Sequence, residues 1–202
     1  MTEKLFTLSS KYLGEYKEKG SKFISIIHPI SNLDEYRSHL AHYKAEHPKA
    51  NHVCSAYRFH QDDRIDEFAS DDGEPKNSSG QPILHSLQRN NLINVACFVV
   101  RYFGGTKLGI SGLINAYTKS TENALIDCKT KLWQPMSQLK IVHDYEHTRF
   151  LESLISQFDG KIIEQKFTID VVTIISLPKS KAEKFDRTLL EKSSGKIVTK
   201  YQ

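Results

Sequence analysis

Two stretches of this 202-residue chain carry residue types whose spacing could do chemistry. The first is Asp71-Asp72-Gly73-Glu74-Pro75, followed by Lys76-Asn77-Ser78-Ser79-Gly80-Gln81-Pro82. Closely spaced carboxylates are the material for binding a divalent cation or for acid and base work. Adjacent Asp71 and Asp72 would point to opposite faces of an extended strand, which argues against a shared metal. Neighbouring carboxylates also cap turns and helix starts. Asp71, Asp72 and Glu74 are therefore read as a candidate acidic functional loop, with no metal and no cofactor expected.

The second stretch runs Val99-Val100-Arg101-Tyr102-Phe103-Gly104-Gly105-Thr106-Lys107-Leu108-Gly109-Ile110-Ser111-Gly112-Leu113. An apolar strand enters a glycine-rich loop and then a helix. Glycines tolerate positive φ, so such a loop can turn several N–H groups toward one point. A helix start adds unpaired N–H groups and a partial positive charge. Together they suit phosphate or another anion. Arg101 and Lys107 flank the loop and would add charge-assisted bonds. The candidate anion-binding or nucleic-acid-binding set is Arg101, Tyr102, Gly104, Gly105, Lys107, Gly109 and Gly112, with Tyr102 and Phe103 as stacking platforms. The spacing matches neither GxxxxGK[ST] nor GxGxxG. The competing reading is that the glycines allow tight strand-to-helix packing.

Other chemistries have less support. His39 and His42 lie three apart on a predicted helix, with His47 and His52 nearby, but no HExxH pattern completes them. These histidines, and His60, are read as surface residues. No GxSxG elbow surrounds Ser111. No catalytic residue is assigned.

The elements that must position these stretches follow from periodicity. Lys22 to His28 reads as a strand ended by Pro29, and Leu33 to Glu46 as a helix capped by Asn32 or Ser31. Val53 to His60 and a short run from Arg64 to Ala69 read as strands. Pro82 to Asn90 fits a helix with proline in its first turn. Asn94 to Tyr102 is a strand buried on both faces, and a long helix runs from about Ser111 to Cys128. Residues 129 to 135 read as a connector. Beyond it the order strand, helix, strand, strand, helix, strand is ferredoxin-like. The domains expected are 1–132 and 133–202.

Hydrophobic residues at 39% and charged residues at 26% exclude a disordered tail. The longest apolar run, Val95 to Val100, is far too short to span a bilayer. Three cysteines without a CxxC pattern read as buried thiols in a reducing compartment. Residues 1–5 lack an export signal, so a cytoplasmic location is expected. The net charge is a mild +4, yet it is polarised. Seven acids and one base lie between Asp62 and Glu74, and seven bases and two acids between Pro75 and Lys131. A basic set on one face could follow a phosphate backbone.

The two motifs together resemble the signature of the IMPACT family, in its bacterial YigZ-like branch. The matching residues are Asp71 to Pro75, Gly80 to Leu84 and Val99 to Tyr117. Lys19 to Ile24, Asn51-His52 and Ala56-Tyr57-Arg58 also match, so the resemblance covers about residues 10 to 128. The chain departs from the family pattern at Lys76 to Ser79 and at Ser111-Gly112. The resemblance implies an α+β chain: a ribosomal protein S5 domain 2-like domain, then a ferredoxin-like domain. This tandem is similar to the last two domains of elongation factor G. It implies a non-enzymatic, nucleic-acid- or ribosome-associated protein linked to translation control, with RNA or the ribosome as partner. The alternatives are a small-molecule hydrolase using the acidic loop, or a protein-interaction module like the eukaryotic relatives.

Overall fold

The computed structural model describes residues 4–61 and 63–201. The chain divides into two units, Met1–Trp133 and Gln134–Gln202.

The first unit contains β1 (Leu5–Leu8), β2 (Tyr12–Glu18), β3 (Ser21–Pro29), α1 (Leu33–Glu46), β4 (His52–Gln61), β5 (Arg64–Ser70), α2 (Gly80–Arg89), β6 (Val95–Tyr102), α3 (Gly109–Leu125) and β7 (Thr130–Trp133). Five strands form an antiparallel sheet in the order β2-β3-β6-β4-β5. The central strand β6 is Val-Ala-Cys-Phe-Val-Val-Arg-Tyr, buried at every position but the last. From Val95 to Val100 it has no charged or strongly polar side chain to give to water on either face, so both faces must be covered. Val95, Cys97 and Val99 pack with Leu87 of α2 and with Leu113, Ala116 and Tyr117 of α3. Ala96, Phe98 and Val100 pack with Tyr36 and Tyr43 of α1. Parity along β6 therefore decides which side chains lie under α2 and α3.

Local chemistry sets the element ends. Asn32 caps α1: its Oδ1 accepts from the Glu35 amide at 2.9 Å, while the Glu35 carboxylate accepts from the Ser31 amide at 2.8 Å. This reciprocal pair satisfies two donors at the helix entry. Lys19 and Gly20, with φ of 46° and 79°, make the tight hairpin that joins β2 to β3. The structure differs from expectation at several ends. Helix α2 starts at Gly80, before Pro82, because Asp71 supplies its cap from outside the helix. Helix α3 starts at Gly109 and stops at Leu125. The expected connector contains β7, which pairs with β1 from Leu5↔Trp133 to Leu8↔Thr130.

The second unit contains β8 (Met136–His143), a 3-10 turn (Tyr145–His147), α4 (Thr148–Gln157), β9 (Lys161–Phe167), β10 (Val171–Pro178), α5 (Lys179–Lys192) and β11 (Thr199–Tyr201). The antiparallel strand order is β11-β8-β10-β9. Numbering these strands one to four within the unit gives 4-1-3-2, the order of a ferredoxin-like sheet. Leu139, Ile141, Ile175 and Leu177 meet Leu151, Leu154, Ile155, Phe185 and Leu189 of the helices in its core. Among the described residues, no helix is long and apolar enough to cross a membrane.

Candidate functional site

The three carboxylates of the acidic loop diverge, and each meets a different partner. Asp71 accepts at Oδ1 from the amides of Ser79 (3.1 Å) and Gly80 (2.8 Å) and from Ser79 Oγ (2.7 Å), and at Oδ2 from the Asn77 amide (2.7 Å). It thus closes the loop 71–80 and caps α2. Burial pushes the Asp71 carboxyl up, but the bonds from Ser79, Gly80 and Asn77 outweigh it and hold it below the ordinary carboxylate value. Asp72 accepts from the Val53 amide at 2.7 Å and from Lys44 Nζ at 2.6 Å, tying the loop to β4 and α1.

Glu74 turns inward. It is buried and accepts at Oε1 from Arg101 Nη1 at 2.5 Å and from the Tyr117 hydroxyl at 2.8 Å. Cys54 Sγ lies 3.2 Å from the same hydroxyl. A line of groups thus runs from β4 through α3 to the acidic loop and β6. Desolvation drives the Tyr117 hydroxyl far above its normal pKa and the Cys54 thiol up to about 12. Both are neutral hydrogen-bonding groups of the interior.

This geometry corrects the expected outward placement of Arg101. Residues 95, 97 and 99 point beneath α2 and α3, and residue 101 follows the same parity. Arg101 is only 6% exposed and its charge is matched by Glu74. Its Nε is buried without a hydrogen-bond partner among the described residues. Tyr102, one residue on, faces the other way, and its hydroxyl lies 2.8 Å from His47 Nδ1. It does not join Arg101. Phe103 does: its ring is exposed and lies 5.6 Å from the Arg101 guanidinium carbon. The Phe103 amide is held by Asn51 Oδ1 at 2.8 Å.

The glycines divide by role. A Cβ on Gly104 would stand 1.9 Å from the carbonyl carbon of Gly20, so Gly104 allows the turn to pack on the β2–β3 hairpin. Gly112 is a milder case, with Leu108 Cβ at 3.0 Å. Gly105 and Gly109 have φ of 88° and 73° and open space beside them. At Gly109 the positive φ turns the chain into α3, whose start no side chain caps. Lys107 is exposed on this turn and pairs with none of the described carboxylates.

These groups surround a cleft of about 390 Å³, lined by His52, Glu74, Arg101, Phe103, Lys107 and Gly109 among others. That volume is in the range of sites for small ligands, ~300–1,000 Å³. Of the expected binding set, Arg101, Lys107 and Gly109 line the cleft. His52, read from sequence as a surface histidine, also lines it, and its Nδ1 sits 2.8 Å from the Asp72 carbonyl. The signal that marks His52 is its place in Asn51-His52, one of the matched motifs. Among the described residues, no group of three His, Cys, Asp or Glu side chains is placed to hold a metal ion.

Comparison with known proteins follows the same division of the chain. A family profile for the Impact N-terminal domain matches residues 19–125, and one for a domain of unknown function, DUF1949, matches residues 141–196. An IMPACT family member of Haemophilus influenzae is 33% identical over 91% of this chain and 90% of its own length. The IMPACT family member YigZ of Escherichia coli is 31% identical over 89% and 88%. The IMPACT family member YvyE of Bacillus subtilis is 31% identical over 97% and 90%. A crystal structure titled as a hypothetical protein superposes with a TM-score of 0.71 at 29% identity, covering 98% of this chain and 97% of that one. With both profiles matched and three relatives aligned along nearly all of their length, this chain belongs to the IMPACT family.

Proposed function

We propose that this chain is a non-enzymatic, cytoplasmic protein of translation control that binds RNA, alone or on the ribosome, through the cleft at the start of α3. The observation that carries this reading is an uncapped helix start with the exposed Lys107, beside a buried guanidinium; among the described residues Lys107 meets no carboxylate and the guanidinium Nε no partner. A phosphate there would meet backbone donors, a partial positive charge and a full one. Phe103, exposed beside them, offers a face on which a base can stack.

The partners of the acidic residues favour this reading over hydrolysis by the same carboxylates. Asp71 is taken up by four donors, Asp72 by Lys44 and Val53, and Glu74 by Arg101 and Tyr117. Each carboxylate is thus held by internal donors, and only Glu74 Oε2 is left toward the cleft. Family membership places the chain beside the protein named IMPACT homolog in Saccharomyces cerevisiae, 29% identical over 46% of this chain. The reading is tested by titrating the purified chain into labelled single-stranded RNA over a series of salt concentrations. Binding should weaken with salt, with a log–log slope of about −0.7 for each phosphate contacted. No binding at low salt overturns it.

A further inference from the structure

The cleft holds a feature that a phosphate does not use. The Asp72 carbonyl can only accept, so the His52 Nδ1 that lies 2.8 Å away carries the ring hydrogen. In the neutral ring, Nε2 is then a bare acceptor. It faces Glu74 Oε2 at 4.0 Å. Glu74 Oε1 is already engaged by Arg101 and Tyr117. With the ring neutral, two acceptors face one another with no hydrogen between them. Both atoms border the open cleft, so such a pair can accept two donors from outside.

We propose that the cleft binds the cis-diol of a ribonucleotide, one hydroxyl donating to His52 Nε2 and the other to Glu74 Oε2. Its phosphate lies toward Lys107 and the first turn of α3, and its base against Phe103. The inference rests on the RNA reading above and narrows it. Internal nucleotides of an RNA have no free cis-diol, so the ligand is a 3′-terminal ribonucleotide or a free nucleoside 5′-phosphate. The cleft volume suits one nucleotide rather than a continuous strand. Deoxyribonucleotides lack one of the two donors, which is the general means by which proteins distinguish RNA from DNA.

The test compares two 5′-labelled RNA oligomers of one sequence, one ending in an intact 2′,3′-diol and one in a 2′,3′-dideoxynucleotide. Fluorescence anisotropy reads the affinity of the whole chain for each. The diol end should bind about tenfold more tightly, the scale of one or two well-placed hydrogen bonds. His52→Asn keeps a donor to the Asp72 carbonyl and removes the acceptor at Nε2. It should abolish the preference, so that the diol-ended and dideoxy-ended oligomers bind the variant equally. Adenosine 5′-monophosphate is the second arm. Displacement of the diol-ended RNA assigns the site to free nucleotides as well, and lack of displacement assigns it to RNA ends. Equal binding of both oligomers by the unmodified chain overturns the diol inference and leaves the RNA reading standing. Binding of neither overturns both.

Discussion

At the residue scale, Glu74 is the side chain on which the cleft depends. It is buried, and it neutralises an equally buried Arg101. Removing one partner of such a pair strands the other's charge in the interior, at a cost of about 3–5 kcal/mol. Glu74→Gln should therefore lower stability by about 3 kcal/mol, read as a shift in the midpoint of urea unfolding. A variant as stable as the parent would mean that the two charges are solvated and the pair unimportant. The thiols offer a second check at this scale. Cys54 and Cys97 are fully buried, and burial pushes each up to about 12. Neither should react with a thiol reagent at pH 8 until the chain unfolds, while the half-buried Cys128 should label first. Rapid modification of Cys54 in the folded chain would contradict the closed network around Tyr117.

Arg101 shows what could and could not be read at this scale. The motif marked it as functional, and strand parity grouped it with residues 95, 97 and 99, but residues 96, 98 and 100 are equally apolar, so the sequence did not say which face lies under α2 and α3. The missing piece was Glu74. A run of charged and turn residues looks solvent-facing from sequence, and nothing local says that the third carboxylate folds back beneath the first two. His52 was missed for a similar reason. Its environment comes from residues 20 or more positions away, the Asp72 carbonyl and the Glu74 carboxylate.

At the scale of elements, the turn after β6 is held by contact rather than by its own chain. Gly104 sits against the β2–β3 hairpin, and its amide donates to Ser21 Oγ at 3.1 Å. Gly104→Ala would drive a methyl into the backbone of Gly20 and Ser21. The expected loss is at least about 3 kcal/mol, with the hairpin displaced and RNA affinity reduced together. Gly105→Ala meets no neighbour and pays only for its positive φ, so its loss should be smaller, about 1 kcal/mol. Thermal melts of the two variants separate packing from backbone freedom, and equal losses would contradict this division. The elements that sequence reasoning recovered are those with strong local signals. Helix α1 has a paired cap, and β6 has an unbroken β-branched and apolar run. It missed β1, β2 and β7. These are short or half-exposed strands, and the partner of β1 lies at the far end of the unit, Leu5 opposite Trp133.

At the scale of the whole molecule, that same pairing says where the first unit ends. Strand β7 completes the β1 ladder, and the Trp133 ring lies 4.6 Å from the His60 ring in a tilted contact. A fragment ending at Trp133 should melt cooperatively. A fragment ending at Cys128 should be less stable, because Leu5 to Leu8 lose their partner strand. Circular dichroism of the two fragments checks this, and equal melting temperatures would show β7 to be dispensable. The ferredoxin-like order of the second unit was legible because each of its elements is bounded by a proline, a glycine or a charged turn. Its precise ends were not, and the last strand, β11, spans only Thr199–Tyr201.

RNA binding at this cleft requires that the exposed cation at the glycine turn meet phosphate. The direct measurement is the salt dependence of RNA binding for the parent chain and for Lys107→Ala. Among the described residues Lys107 pairs with no carboxylate, so the fold should be unaffected. The variant should bind more weakly, and the magnitude of its log–log salt slope should fall by about 0.7, the loss of one phosphate contact on a single strand. An unchanged affinity and slope would place the RNA elsewhere and contradict the account.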